Sequence, residues 1–370
     1  MEFTISKTSL QKELGLVQGT VEKKNTIPAL SNILIESVGD GTIRITGTDL
    51  DVTLRCETEA EIKTPGSMCV GARKLFDIAR VLPDAPVSFR KDENNWASVK
   101  CERSNFRIAG IDRDNFPEVP SFKSAPVKMP ASVFKSLIDR TIFAITLEES
   151  RYTLSGAKFM LGKAGAKMVT TDGHRLAYVE RKDLGAAAPS EEIDVLIPRK
   201  TLSELTKLTA SFEGEIGLGA DENHIYFEVG PRLLISRTLT GQFPNYEMVM
   251  PKGNDKRAEF DTQSLSQAIR RVALMADDRS HAIRFQLTPG SLHISSQTAE
   301  EGEARETVTT EYAGEETEIG FNAAYLQDFL NVLGDGTVAF EFKDGNSQAQ
   351  LRPGSDDGYD YRYVVMPMRL

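Results

Sequence analysis

The stretch "GARKLFDIARVLP" at 71–83 sets Leu75, Ile78, Ala79 and Leu82 on one face of a helix. It has two echoes. "IPRKTLSELTKLT" at 197–209 repeats the face with Leu202, Leu205 and Leu208, and "NAAYLQDFLNVLG" at 322–334 does so with Leu326, Phe329, Leu330 and Leu333. The first leucines stand at 75, 202 and 326, offsets of 127 and 124 residues. A second set keeps the same beat. "SLQKELGLVQGTV" (9–21), "SVFKSLIDRTIFAI" (132–145) and "QSLSQAIRRVALMA" (263–276) each carry an apolar stripe: Leu10, Leu14, Val17, Val21; Phe134, Leu137, Ile138, Ile142; Leu265, Ile269, Val272, Met275. The Phe-Pro pairs at 116–117 and 243–244 are again 127 apart.

A period near 125 residues is too long for a solenoid unit, so the expectation is three domains of one fold in tandem, 1–125, 126–250 and 251–370. Between the helices the pattern changes to alternation around Gly, Asp and Glu turns, in "TIRITGTDLDVTL" (42–54), "KMVTTDGHRLAYVE" (167–180) and "SLHISSQTAEEGEARETV" (291–308). Each repeat therefore reads as α+β, two helices against antiparallel sheet. "KMPAS" (128–132) and "PKGNDKRAE" (251–259), with their Pro and Gly, are the expected linkers.

Composition is that of a soluble globular protein, 40% hydrophobic and 26% charged, with no signal-type segment at the N-terminus and no apolar run long enough to span a membrane. Cys56, Cys69 and Cys101 are odd in number and lack C-x-x-C spacing, which favours small core residues in a reducing cytoplasm over a disulfide framework or a zinc site. The six helical segments carry thirteen basic and six acidic residues, a surplus of seven, while the whole chain is at −10 and the remainder therefore at −17. Helices sharing a basic surface, with acidic sheets and loops elsewhere, suit a polyanion held without reading its sequence.

"TDGHRLAY" at 171–178 offers Asp172, His174 and Arg175 around Gly173, and invites a catalytic reading. That reading lacks parts. No G-x-S-x-G elbow or nearby cysteine supplies a nucleophile, His224, His281 and His293 share no ligand spacing with His174, and there is no Walker-type loop. The plainer alternative is a turn whose histidine satisfies local backbone groups. No catalytic residue, cofactor or metal is expected.

The triplication, "TDGHRLA" at 171–177, "PRK" at 198–200, "FPNY" at 243–246 and above all the terminal "VVMPMRL" resemble the bacterial sliding clamps, the β subunits of DNA polymerase III, over the whole chain. The resemblance implies a processivity factor of replication: a head-to-tail homodimeric ring of six like domains, helices lining a channel that duplex DNA threads, independent of sequence. Twelve helices spaced about 8–10 Å apart leave a bore of roughly 22–28 Å, enough for a loose duplex. Lys24, Arg73, Arg199 and Lys200 are the cations expected to meet the DNA. Ring closure would set Lys74, Phe106 and Ile108 against Leu274 and Met275 of the partner copy. By the same resemblance "TDGHRLAY" is one wall of a peptide-binding groove for the polymerase III α subunit, other polymerases, repair proteins and the clamp loader. Its residues would be Leu154, Thr171, Gly173, His174, Arg175, Leu176, Pro244, Met248 and Val249, with Val364, Val365, Met366, Pro367, Met368 and Arg369. His174, Arg175 and Arg369 would be rim donors. Thr153 and Met248, which border the groove, depart from enterobacterial clamps, which carry tyrosine and arginine there; the departures bear on the preferred peptide and its affinity, not on the existence of the site. Two other classes compete. A nucleic-acid enzyme would need clustered acidic metal ligands, which the sequence lacks, and a monomeric scaffold would need no basic inner face.

Overall fold

A computed structural model describes residues 1–21, 27–121, 126–148, 150–184, 192–298 and 302–369. Among the described residues the six α-helices are α1 (Lys7–Val17), α2 (Ala72–Val81), α3 (Ala131–Asp139), α4 (Arg199–Thr209), α5 (Thr262–Val272) and α6 (Ala323–Leu333). Local chemistry starts them. The Ser6 hydroxyl, the Asp261 carboxylate and the Asn322 amide oxygen each accept a backbone N–H of the first turn of α1, α5 and α6. The apolar stripes face inward as the spacing requires: Leu10, Leu14 and Val17; Leu75, Ile78 and Ala79; Leu202, Leu205 and Leu208; Leu265, Ile269 and Val272; Leu326, Phe329 and Leu330 are all buried. Four helices end sooner than their stripes. Val21 lies beyond the end of α1, Leu82 caps α2, and Ile142 and Met275 fall in 3-10 turns after α3 and α5.

The backbone packs into two compact units, one of residues 1–135 with 200–238 and the other of 136–199 with 239–370. The first holds a thirteen-stranded sheet, antiparallel at every pair, with α1 and α2 packed together. The second holds an eight-stranded and a four-stranded sheet, with α5 packed on α6. The central repeat is shared: its strands 127–130, 215–220, 224–229 and 232–237 continue the first unit's sheet, and 156–162, 165–171, 175–181 and 193–198 lie in the second's. One junction recurs. The last strand of the second repeat, Arg232–Arg237, pairs with Val52–Glu59 of the first, Leu234 opposite Leu54. The last strand of the third, Asp360–Val365, pairs with Arg175–Arg181 of the second, Val364 opposite Leu176.

"KMPAS" is not a linker. Val127–Pro130 pairs with strand 215–218, Met129 is buried, and Ala131 begins α3, because Pro130 occupies the last strand position, where the ring needs no further ladder bond. In "PKGNDKRAE" the loop is confined to 251–255, since alternation from Lys256 onward makes a strand through Asp261. All three cysteines are buried free thiols, and burial pushes the Cys69 thiol up to about 12.

The most buried ion pair of the first unit ties the first two repeats together. Glu13 of α1 accepts both Nε (2.8 Å) and Nη2 of Arg232, a bidentate contact with both side chains at most 10% exposed. Removing one partner strands a charge out of water. We expect Arg232→Met to cost about 3–5 kcal/mol, read as a lowered chemical-unfolding midpoint, and Glu13→Leu/Arg232→Met together to recover most of it.

Candidate functional site

The turn at 171–175 is built from its own polar groups. The Asp172 carboxylate accepts the N–H of His174 (2.9 Å) and of Arg175 (3.1 Å), and the Thr171 hydroxyl donates to the Arg175 carbonyl (2.6 Å) while accepting the Gly173 N–H. Gly173 has φ +92, and a Cβ there would lie 2.9 Å from Nη1 of Arg151, which donates to the Asp172 carbonyl. Conformation favours glycine here, and a side chain would also displace the Arg151 guanidinium from the turn.

Arg175 is not a rim donor. Its Nε donates to Asp172 (2.9 Å), Nη1 to Asp328 of α6 (2.6 Å) and Nη2 to the Phe143 carbonyl (2.8 Å), and the guanidinium lies 4.4 Å from the Tyr325 ring centre. Burial alone would lower its pKa; Tyr363, Asp328 and Asp172 outweigh that and raise it, so the charge is permanent and committed inside the protein. His174 is exposed, its ring 6.4 Å from that of Tyr325.

Behind the turn, the pairing of Leu176 with Val364 brings two aliphatic side chains to the same face. With Val169, Tyr178, Leu196 and Phe243 they form a buried cluster, and Leu154, Tyr246 and Val249 pack on it. The result is a cavity of about 110 Å³ lined by Leu154, Thr171, Gly173, His174, Arg175, Leu176, Pro244, Tyr246, Val249, Val364 and Met366. At ~30 Å³ per water that is room for one medium side chain. Ten of these residues are among those the sequence assigned to a groove; Tyr246 is the addition, and it stood unread in "FPNY". Asp328 and Tyr325, which hold Arg175 and flank His174, carried no local signal at all.

Five assigned residues do not line this cavity. Val365 is fully buried on the opposite face of its strand, because side chains alternate. Met366 extends the ladder by one bond to the His174 carbonyl, and Met368 then pairs with Gly320, so Pro367, Met368 and Arg369 run away from the slot. Met248 is 77% exposed and lines a neighbouring cleft.

Of the cations, Arg73 is exposed on α2 and Lys24 lies outside the described residues. Arg199 is half-buried, its Nη1 donating to the carbonyls of Ile142 and Ile145 (3.1 Å each), and burial followed by repulsion from Arg175 lowers its pKa. Lys200 pairs with Asp49, whose carboxylate is nearly buried. Among the described residues Lys12, Arg73, Lys74 and Arg270 are the exposed helical cations without an ion pair. Of the expected junction, Lys74 is exposed, Phe106 half-buried and Ile108 buried, while Leu274 is 74% exposed beside a half-buried Met275.

Models of the N-terminal, central and C-terminal domains of the DNA polymerase III beta subunit match residues 1–120, 128–245 and 247–369. The chain is 39% identical over 374 residues to the beta sliding clamp of Pseudomonas aeruginosa and 33% identical over 372 residues to that of Escherichia coli, covering all of each. A crystal structure of the Pseudomonas aeruginosa sliding clamp bound to griselimycin superposes with a TM-score of 0.94 at 38% identity, with both chains fully covered. Family membership also answers the catalytic question, since these subunits are non-catalytic processivity factors. The chain belongs to the DNA polymerase III beta subunit family, the beta sliding clamps.

Proposed function

We propose that two copies of this chain close head to tail around duplex DNA in the cytoplasm, and that the slot beside His174 tethers partner proteins by short apolar segments. Those partners include the polymerase III α subunit, other polymerases, repair proteins and the clamp loader. The observation that carries the ring is the junction that occurs twice within the chain and has a third pair of edges left over. Strand Gly302–Thr309 corresponds to Val52–Glu59 and Arg175–Arg181, and among the described residues it pairs on one side only. Strand Ser104–Ile111 corresponds to the two last strands, and among the described residues its second side is paired only at Gly110 and Ile111. A bare strand edge is a template for another chain. A heterologous contact between these two edges closes when the rotation permits. Leu274 and Met275, in a turn packed on Gly302–Thr309, would meet Phe106, Ile108 and Lys74 of the partner there.

The slot supports the tethering role because it is apolar at its base, holds one side chain, and has a methionine at its lip that adapts to different occupants. Lys24, Arg73 and Lys200 would meet the phosphates as scattered point charges; Arg199 would act by holding the 142–145 turn. Of the groove residues outside the cavity, Met248 would border it from the neighbouring cleft, Val365 would support the strand from its opposite face, and Pro367, Met368 and Arg369 would anchor the chain end that follows Met366.

Leu274→Ala/Met275→Ala should turn dimer into monomer in sedimentation at nanomolar concentration, since truncating buried apolar side chains costs about 2–5 kcal/mol each. A dimer that persists places the junction elsewhere. Arg73→Ala and Lys200→Ala should weaken retention on circular DNA for every sequence alike, and the difference should shrink at high salt. Met366→Ala should weaken a labelled polymerase-tail peptide about tenfold, as loss of an anchor worth over 1 kcal/mol does, and His174→Ala less than that. Equal affinity for wild type and both variants would remove the slot from the tethering role.

A further inference from the structure

The segment that forms one wall of the slot continues into a second cleft of about 370 Å³. Tyr246 and Val249 face the slot, whereas Met248, Met250 and Lys252 line the cleft, joined from the other side by Asn254, Lys343 and Gln348. The two hollows share a framework. The Gln348 side-chain amide donates to the Val249 carbonyl (3.4 Å), and the Asn254 amide donates to the carbonyls of Glu341 (2.9 Å) and Gln348 (3.3 Å). These bonds pin the 251–255 loop to the strands that follow it.

The charge of the cleft is opposite to that of the molecule. Lys252 and Lys343 are exposed and have no ion pair among the described residues, and no carboxylate lines the cleft, in a chain of net charge −10. Asp344, next to Lys343 in sequence, feels the lysine's charge but forms no ion pair with it, its carboxylate being engaged by the N–H groups of Asn346 and Ser347 and by the Ser347 hydroxyl. Met248, at the bend between slot and cleft, leaves an apolar side chain 77% exposed with nothing over it.

We infer that a partner segment seated in the slot continues across Met248 and places an acidic side chain between Lys252 and Lys343, so that the cleft selects acidic-flanked apolar segments. The inference rests on the tethering role of the slot. Continuity of the wall and complementarity of charge carry it. Lys252 is three residue steps from Val249, at most about 11 Å of chain, which an extended peptide covers in about three residues. The acid therefore stands about three positions from the apolar anchor. Paired surface charges set preference more than affinity.

The test uses fluorescein-labelled dodecapeptides with one central leucine as the apolar anchor, carrying aspartate or asparagine three positions before or after it, titrated against the intact wild-type protein and Lys252→Ala/Lys343→Ala. Both lysines are exposed, so the variant keeps its fold. Wild type should prefer one aspartate peptide over its asparagine twin by about two- to fivefold at low salt. The preference should vanish in the double variant and in several hundred millimolar salt, with affinity for the asparagine peptide unchanged. Equal binding of all peptides by wild type overturns the inference and leaves the slot intact. A preference that survives in the double variant also overturns it. Binding of none of the peptides by wild type removes the slot reading, and this inference with it.

Discussion

A strand edge is a row of backbone donors and acceptors that must find partners, and this chain is organised around where its edges go. Each repeat ends in a strand that cannot complete its own sheet. Arg232–Arg237 finds its partner in the repeat before it, and Asp360–Val365 does the same. The pairing fuses adjacent repeats into continuous sheet, which is why the compact units cut the central repeat in two instead of separating three beads. It also sets the parity of every side chain at the junction. Leu176 and Val364 share one face only because their strands pair in this register, and a slip of one residue would turn Val365 into the slot and bury Val364 under α6.

The two internal junctions are built alike and end differently. In both, an aspartate at the head of the hairpin accepts two backbone N–H groups, Asp49 from Asp51 and Val52, Asp172 from His174 and Arg175. Their countercharges come from different places. Asp172 is answered by Arg175 from its own turn, which also reaches Asp328, whereas Asp49 is answered by Lys200 from α4. At the third turn position the first repeat has Leu50, exposed and at φ +81, where the second has Gly173 at φ +92. A leucine pays in strain for a conformation glycine adopts freely. Without a side chain at 173, Arg151 can close over the turn and His174 can stand beside the slot.

Much of this was legible. Helical stripes, hairpins and the period near 125 follow from spacing alone, and the slot's own residues stood in two quotable motifs. Alternation would have excluded Val365 from the groove had it been applied to "YVVMPMRL" as a strand. Other features lie beyond local reading. Arg175 and Asp328 are 153 residues apart, so nothing near "TDGHR" says that its arginine is already engaged. "KMPAS" looks like a linker because Pro130 marks an end, and only the pairing of Met129 with Ile216 shows that the end belongs to a strand.

Charge counting along helices overstated the free positive surface for the same reason. Lys200, Lys207, Arg140 and Arg271 each have a carboxylate within ion-pair distance, and Arg199 is held by two carbonyls. A cation already paired releases fewer counterions when a phosphate approaches, because part of its charge is balanced beforehand. The consequence suits a clamp. A dense array of free lysines would bind DNA tightly and drag on every phosphate, whereas sparse cations, several of them tempered by acids, give a shallow and uniform attraction. Under the proposed ring, passage along the duplex would depend on topology, and grip would fall to the proteins proposed to dock in the slot.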